Sequence, residues 1–162
     1  ILNFQGSTHR IGVGSFSNLI IGGIIMSKTY HLFISHSWAY SDAYEKLINL
    51  LNKDANFSYT NYSVPQNDPI HNAGTDKELY AAIKAQIAPA SVVLILAGVY
   101  STYSKWINKE IQIAKTEFWT PKSIIAIEPW GSERTSKVVK DAADKVVGWN
   151  SSSIINAIKE LG

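Results

Sequence analysis

The stretch that decides the fold is Val92-Val-Leu-Ile-Leu96, which is followed by Ala97-Gly98 and then by a helical pattern around Glu110. A continuous apolar run of this length is typical of a strand buried on both faces of a parallel sheet. The helix after it therefore begins at the carboxyl end of the sheet, where open α/β folds place their ligands.

The alternation of strand and helix patterns continues on both sides of this unit. The predicted strands are residues 30–34, 57–64, 92–96, 123–128 and 145–149. The predicted helices are residues 41–53, a helix that begins at Thr75 and ends at Pro89, the helix around Glu110, a helix within residues 136–143, and residues 152–161. Five strands that alternate with five helices predict an α/β fold, since right-handed crossovers place helices on both faces of a sheet. The expected architecture is a three-layer sandwich around a five-stranded parallel sheet in the flavodoxin-like order 2-1-3-4-5.

Length and composition exclude several classes of protein. A chain of 162 residues is long enough for about one domain. Its formal charge of +2 is small and its Lys and Arg are scattered, so the sequence does not predict a basic patch that would bind nucleic acid. The absence of cysteine excludes disulfides and thiolate catalysis. The four histidines show no spacing typical of metal ligands, so no metal site is expected.

The first 25 residues are expected to lie outside the domain. Met26 resembles a natural start, and Asn3-Phe-Gln-Gly6 resembles the remnant of a protease site. We interpret residues 1–25 as a cloning-derived leader or an N-terminal extension, and residues 26–162 as a single domain.

Glu110 lies at the edge of the apolar stripe of its helix. At about 100° per residue this stripe consists of Ile107, Ile111, Ala114 and Phe118. Glu110 follows Trp106 by one turn, and a carboxylate beside an indole would be partly desolvated there. The position suits a functional acid; the alternative is a helix-boundary glutamate paired with a surface lysine.

The switch point of the predicted sheet lies between its first and third strands. Residues 35–41 and 98–104 line this crevice, and the candidate binding residues in and beside these loops are Ser35, His36, Ser37, Trp38, Tyr103 and Trp106. Aromatic rings can stack on a heterocycle, and hydroxyl groups can bond a ribose or a phosphate. The alternatives are a structural hydrogen bond for His36 and core packing for the two tryptophans.

Several chemistries that this fold supports lack their diagnostic residues. A response regulator needs acidic residues where this chain has Ser35-His36-Ser37, and an Asp where it has Ala97-Gly98. From Met26 onward there is no P-loop, no dinucleotide-binding glycine pattern and no hydrolase nucleophile elbow. What remains is a pocket of Ser, His, Trp and Tyr with one carboxylate, which suits a sugar and a base.

Four segments of the chain carry a resemblance to a known family. They are Phe33-Ile-Ser-His-Ser-Trp38, Asn61-Tyr-Ser-Val-Pro65 with Asn67-Asp-Pro69, Ser104-Lys-Trp-Ile-Asn-Lys-Glu-Ile111 and Val147-Gly-Trp-Asn150. Through these segments the chain resembles the TIR-like domain family of Thoeris antiphage defence, and the resemblance covers residues 26–161. In TIR enzymes the glutamate of the third segment is catalytic, which implies that role for Glu110. The loop after the first strand contributes to the nucleotide pocket, which implies binding roles for Ser35, His36 and Ser37.

The resemblance further implies an NAD+ glycohydrolase or ADP-ribosyl cyclase. Such an enzyme releases nicotinamide and makes an ADP-ribose-derived, cyclic signal that activates a separate antiphage effector. NAD+ is then a substrate, and no cofactor or metal is expected because neutral nicotinamide leaves a pyridinium without a Lewis acid. The implied partners are the effector, reached through a diffusible nucleotide, and further copies of the chain in a homo-oligomer. We expect a cytoplasmic protein with no nucleic-acid or membrane partner.

One segment departs from the family's animal and plant members. Residues 65–74 correspond to a loop used in TIR self-assembly, but they lack the Arg-Asp and Pro-Gly pairs of those members, so they do not predict a mode of assembly. Two other functions stay open, namely a non-catalytic TIR adaptor and a nucleotide-binding sensor.

Overall fold

The structure is a computed structural model that describes residues 18–21, 24–35, 41–63, 75–98, 105–128 and 136–162. These residues form seven strands and five helices: β1 (Asn18–Ile21), β2 (Ile24–Ser27), β3 (Thr29–Ser35), α1 (Ser41–Leu51), β4 (Ser58–Asn61), α2 (Asp76–Ile87), β5 (Val92–Leu96), α3 (Lys105–Thr116), β6 (Ser123–Ile127), α4 (Lys137–Ala142), β7 (Lys145–Val147) and α5 (Ser151–Leu161).

Five of the strands form an all-parallel sheet in the order β4-β3-β5-β6-β7. Counted from β3 along the chain, this is the order 2-1-3-4-5, and the predicted flavodoxin-like α/β fold is confirmed. The chain adds strands outward on both sides of the β3–β5 pair, in which Ser35 lies in register with Ile95. The switch point of the sheet is therefore between β3 and β5.

Alternate residues of the strands supply two separate cores, because successive side chains of a strand point to opposite faces. Leu32 and Ile34 of β3 belong to the core that α1 and α5 cover. Phe33 belongs to the other core, which α2, α3 and α4 cover. Ser35 has the same parity as Phe33 and follows it at the carboxyl edge, on the face that carries α3.

The predicted strand at residues 57–64 is shorter in the structure. β4 spans Ser58–Asn61, and the Asn61 side chain then accepts the backbone N–H of Ser63 at 2.9 Å. A side chain that bonds its own backbone two residues on turns the chain, which ends the strand. Phe57 stays buried, at the start of the strand.

A β-hairpin precedes the sheet. β1 and β2 pair in antiparallel fashion from Asn18 with Ser27 to Ile21 with Ile24. The sequence between them is Gly22-Gly23, a pair that two-residue hairpin connections favour. We did not predict this hairpin, since we assigned residues 1–25 to a leader, and a domain boundary at residue 26 stays a prediction.

No helix in the described ranges of the chain is long and apolar enough to cross a bilayer.

Candidate active site

Glu110 lies in the buried face of α3. The residue is 9% exposed, and the same face contributes Ile107, Ile113 and Ala114 to the core. Ile113 lies outside the predicted apolar stripe and is fully buried, whereas Ile111 is only partly buried. Compared with the predicted stripe, the buried face of α3 is rotated about the helix axis toward Glu110. The Glu110 side chain therefore lies within the buried face and not on its border.

Ser35 lies at the carboxyl end of β3 and is 1% exposed. Its hydroxyl donates a hydrogen bond to Oε2 of Glu110, 75 positions later in the chain. β5 pairs with β3 beside this contact. The sheet's switch point therefore holds a buried serine–glutamate pair, formed by the end of one strand and the helix that follows the adjacent strand.

Burial raises the pKa of Glu110 to about 7, from an ordinary value of 4.5, because a charged carboxylate is poorly solvated there. The hydrogen bond from Ser35 acts in the opposite direction, since it stabilises the charged form. A carboxyl group with a pKa near 7 is present in both protonation states at neutral pH. Such a perturbed group beside a switch point is a candidate for chemistry.

A second polar cluster lies beside Ser35, at the carboxyl end of β4. Ser63 Oγ accepts the backbone N–H of Ile34 at 3.0 Å and donates to Asn61 Oδ1 at 2.5 Å. Asn61 Nδ2 in turn donates to the hydroxyl of Tyr44 on α1 at 2.7 Å. We did not predict a site role for these residues, although the Asn-x-Ser pattern directly after a strand is a signal for such a turn. The cluster fixes the last residues of β3.

The other predicted binding residues fall into two groups. Trp106 is partly buried on α3, and the ammonium group of Lys109 lies 4.8 Å from the centroid of its ring. His36, Ser37, Trp38 and Tyr103 lie outside the described residues, so their binding roles stay predictions. The structure thus brings together Ser35 and Glu110 from the predicted set.

Ser136 is a buried polar residue that we did not predict as part of any site. It precedes α4 and is 2% exposed. Its backbone N–H donates to the carbonyl of Ala97, just after β5, so it lies at the same edge of the sheet as Ser35. Its hydroxyl has no hydrogen-bond partner in the described part of the structure.

The serine–glutamate pair supplies one carboxylate whose charge depends on pH near neutrality. Such a group can stabilise a developing positive charge or accept a proton. Within the ranges that the structure describes, no three His, Asp or Glu side chains cluster as metal ligands would.

A comparison with protein families found one family model that matches the chain. The family model of the Thoeris protein ThsB, TIR-like domain, matches residues 33–134, which is more than half of the 162-residue chain. The match includes the last three residues of β3, the whole of α3 and the Ser35–Glu110 pair. A comparison with curated proteins found no match. The chain belongs to the TIR-like domain family of the Thoeris protein ThsB.

Proposed function

We propose that this protein is an NAD+-cleaving TIR enzyme of antiphage defence, with Glu110 as its catalytic residue. It releases nicotinamide and converts the ADP-ribose part into a signalling nucleotide, in our proposal a cyclic one, which activates a separate effector. The observation that carries the proposal is the buried Glu110 carboxyl group, bonded to Ser35 beside the switch point of the sheet. Membership of the ThsB family supports the defence context.

The chemistry of NAD+ matches a site with one carboxylate. Nicotinamide leaves as a neutral base from a pyridinium, so its departure needs no general acid. The ribose that remains has oxocarbenium character, and a carboxylate stabilises that charge in the transition state more than in the ground state. Ser35 engages Oε2 of Glu110, and in this proposal the other carboxylate oxygen, Oε1, faces the ribose.

The nucleophile decides the product. Attack by water gives ADP-ribose, whereas attack by an atom of the bound nucleotide gives a cyclic isomer. A pocket that excludes water and folds the nucleotide favours cyclisation. In this proposal His36, Ser37, Trp38 and Tyr103 hold the nucleotide, with Trp106 at the start of α3.

The test compares Glu110→Gln with the wild-type protein for nicotinamide release from NAD+, by liquid chromatography and mass spectrometry. Purified protein and lysates of phage-infected cells that express it are both assayed. Gln keeps the size of the side chain but removes the charge, so the rate should fall on the order of a hundredfold or more.

Glu117→Gln is the matched control. Glu117 follows Glu110 by two turns and forms an ion pair with Lys84 at 2.9 Å, so its substitution should leave nicotinamide release unchanged. A folded Glu110→Gln protein that releases nicotinamide at the wild-type rate would eliminate the enzyme assignment. Binding of NAD+ with no release by the wild type in either setting would indicate a sensor, and neither binding nor release would indicate an adaptor.

A further inference from the structure

The hydroxyl group of Ser35 has one proton, and that proton is committed to Glu110. Both residues are buried, Ser35 at 1% and Glu110 at 9% exposure. A hydroxyl in this arrangement serves the carboxylate and not an incoming ligand. Resting on the function proposed above, we propose that Ser35 is a positioning residue, which orients the Glu110 carboxylate for the reaction; this differs from the substrate-binding role that we predicted for it.

The backbone around Ser35 is held on both sides. On one side Ser35 is in parallel register with Ile95 of β5. On the other side the N–H of Ile34 donates to Ser63 Oγ at 3.0 Å, which extends the contact between β3 and the β4 segment beyond the end of the paired strand. Because the end of β3 is fixed, the Ser35 hydroxyl is already oriented toward Glu110. No conformational entropy is then lost in orienting this donor when the reaction occurs.

The hydrogen bond also determines how readily Glu110 is charged. Desolvation raises the pKa of Glu110, and the bond from Ser35 is the interaction that lowers it. An oriented donor to the charged form is worth most in a buried site, where water cannot replace it. Without Ser35 the carboxyl group would hold its proton at a higher pH.

Several charged groups of α3 and its neighbours form ion pairs. Lys109 of α3 pairs with Asp76 of α2, and Lys115 of α3 pairs with Asp144 after α4. Glu117, directly after α3, pairs with Lys84 of α2, and Lys140 of α4 pairs with Glu128. On β3, His31 shares a hydrogen bond with the hydroxyl of Tyr62, and β5 and β6 contain no charged residue. None of these groups contributes to the shift of the Glu110 pKa.

The experiment measures the titration of Glu110 directly. Protein labelled with 13C at the glutamate carboxyl carbon is titrated by NMR, and the Glu110 resonance is assigned from its absence in Glu110→Gln. In Ser35→Ala the Glu110 pKa should rise by about one to two pH units, the size expected for losing a hydrogen bond to a charged group. This readout needs no enzymatic activity.

The same variant is then assayed for NAD+ cleavage across pH. The acid limb of kcat/KM should move to higher pH by the same amount as the NMR titration. At pH 7 the rate should fall about fivefold to fiftyfold with the ionised fraction of Glu110, and part of the loss should be recovered at pH 9, where at least about half of the carboxyl groups are ionised again. A residue that contacted only the substrate would change KM and leave the position of the limb unchanged.

Two further variants separate positioning from packing. Ser35→Thr keeps the hydroxyl and should restore a titration close to wild type. Ser136→Ala removes another buried hydroxyl at the same edge of the sheet and should leave the Glu110 titration and the rate unchanged. If Ser35→Thr does not fold, Ser35→Cys, with a weaker donor of similar size, should give a pKa between those of wild type and Ser35→Ala.

The outcomes are distinct. An unchanged Glu110 titration in folded Ser35→Ala would overturn the positioning role, whatever the activity. A raised pKa together with an unmoved acid limb would also overturn it, because Glu110 ionisation would then not govern the rate. If the wild type releases no nicotinamide, the proposed enzyme fails, while the NMR titration still decides whether Ser35 controls the carboxyl group.

Discussion

Two polar side chains at the carboxyl edge of the sheet are buried in different ways. Glu110 accepts a hydrogen bond from Ser35, whereas the hydroxyl of Ser136 has no partner among the residues that the structure describes. A buried hydroxyl that has lost water without gaining a partner costs about 1 to 3 kcal/mol. Ser136 therefore lowers the stability of the fold at the position where it precedes α4.

Replacing Ser136 with alanine should stabilise the protein by about 1 kcal/mol, because it removes the unpaired hydroxyl. An N-cap serine normally stabilises its helix, but Ser136 makes no side-chain cap hydrogen bond. Urea unfolding of wild type and variant at one pH measures the difference. Ser123→Ala is the control: that hydroxyl donates to the carbonyl of Leu161 at 3.1 Å, so its loss should lower the free energy of unfolding. A destabilised Ser136→Ala would mean that the hydroxyl is satisfied.

At the residue scale, the sequence predicts which side chains could belong to the site more accurately than it predicts which of them are in contact. Helical spacing predicts Glu110 at the edge of the apolar stripe, whereas the structure buries it within that face of the helix. The bond to Ser35 joins residues 75 positions apart, and only the pairing of β3 with β5 brings them together. The unpaired hydroxyl of Ser136 could not be predicted, because a serine before a helix pattern normally indicates a cap.

At the scale of elements, apolar packing holds α3 in place more than ion pairs do. Lys109 pairs with Asp76 of α2 at 3.3 Å and Glu117 pairs with Lys84 at 2.9 Å, but these side chains are partly exposed. Pairs of this kind contribute roughly 0 to 1 kcal/mol each. Fully burying an aliphatic side chain such as Ile113 contributes about 1.5 to 3 kcal/mol. The core under α3 therefore sets the position of Glu110.

α5 begins with a cap that can be tested separately. Asn150 Oδ1 accepts the backbone N–H of Ser153 at 2.8 Å, with Asn150 in an extended conformation. Asn150→Ala should lower the free energy of unfolding by about 1 kcal/mol, since one N–H of the first turn loses its partner. Asn150→Asp keeps an acceptor oxygen and should be close to wild type in the same urea titration. Equal stability of the alanine and aspartate variants would contradict a capping role.

Element positions follow from the sequence where periodicity is strong. The pattern Thr75-x-x-Glu78 followed by Ile83 and Ile87 predicts a capped helix with one apolar side, and α2 confirms it. Ile83 and Ile87 are buried, and Thr75 accepts the N–H of Glu78 as the cap. The orientation of α3 was less accurate, because the predicted stripe omitted the fully buried Ile113. A small rotation of a helix about its own axis is compatible with the same sequence pattern. The packing of the helix against the sheet, and not the periodicity, therefore decides which residues face the core.

At the scale of the whole molecule, strand order decides where the site is. β3 and β5 are neighbours at the centre of the sheet, with β4 on one side and β6 and β7 on the other. Local patterns predict each strand but do not state which strands pair, and the order 2-1-3-4-5 was predicted as the favoured arrangement of its fold class. Once β3 lies beside β5, the end of the first and the helix after the second must meet, and Ser35 and Glu110 come together.

The buried carboxyl group should make the global stability depend on pH. The pKa of Glu110 is about 7 in the folded protein and near 4.5 when the side chain is solvated. Between these values the folded state binds a proton that the unfolded state has released, so the free energy of unfolding falls as pH rises from about 4.5 to about 7. The full difference is on the order of 3 kcal/mol, and Glu110 lowers the stability by that amount above pH 7.

Glu110→Gln should remove this dependence. The variant should be more stable than wild type by about 2 to 3 kcal/mol at pH 8, and the gain should disappear below about pH 4, where Glu110 is protonated in both the folded and the unfolded state. Urea unfolding at several pH values measures the difference between variant and wild type, which cancels the effects of the other carboxyl groups. Glu45→Gln, at an exposed position of α1, is the matched control for the change from glutamate to glutamine. A Glu110→Gln protein whose stability relative to wild type is the same at pH 5 and pH 8 would contradict a raised pKa, because a group with equal affinity for protons in both states contributes no slope.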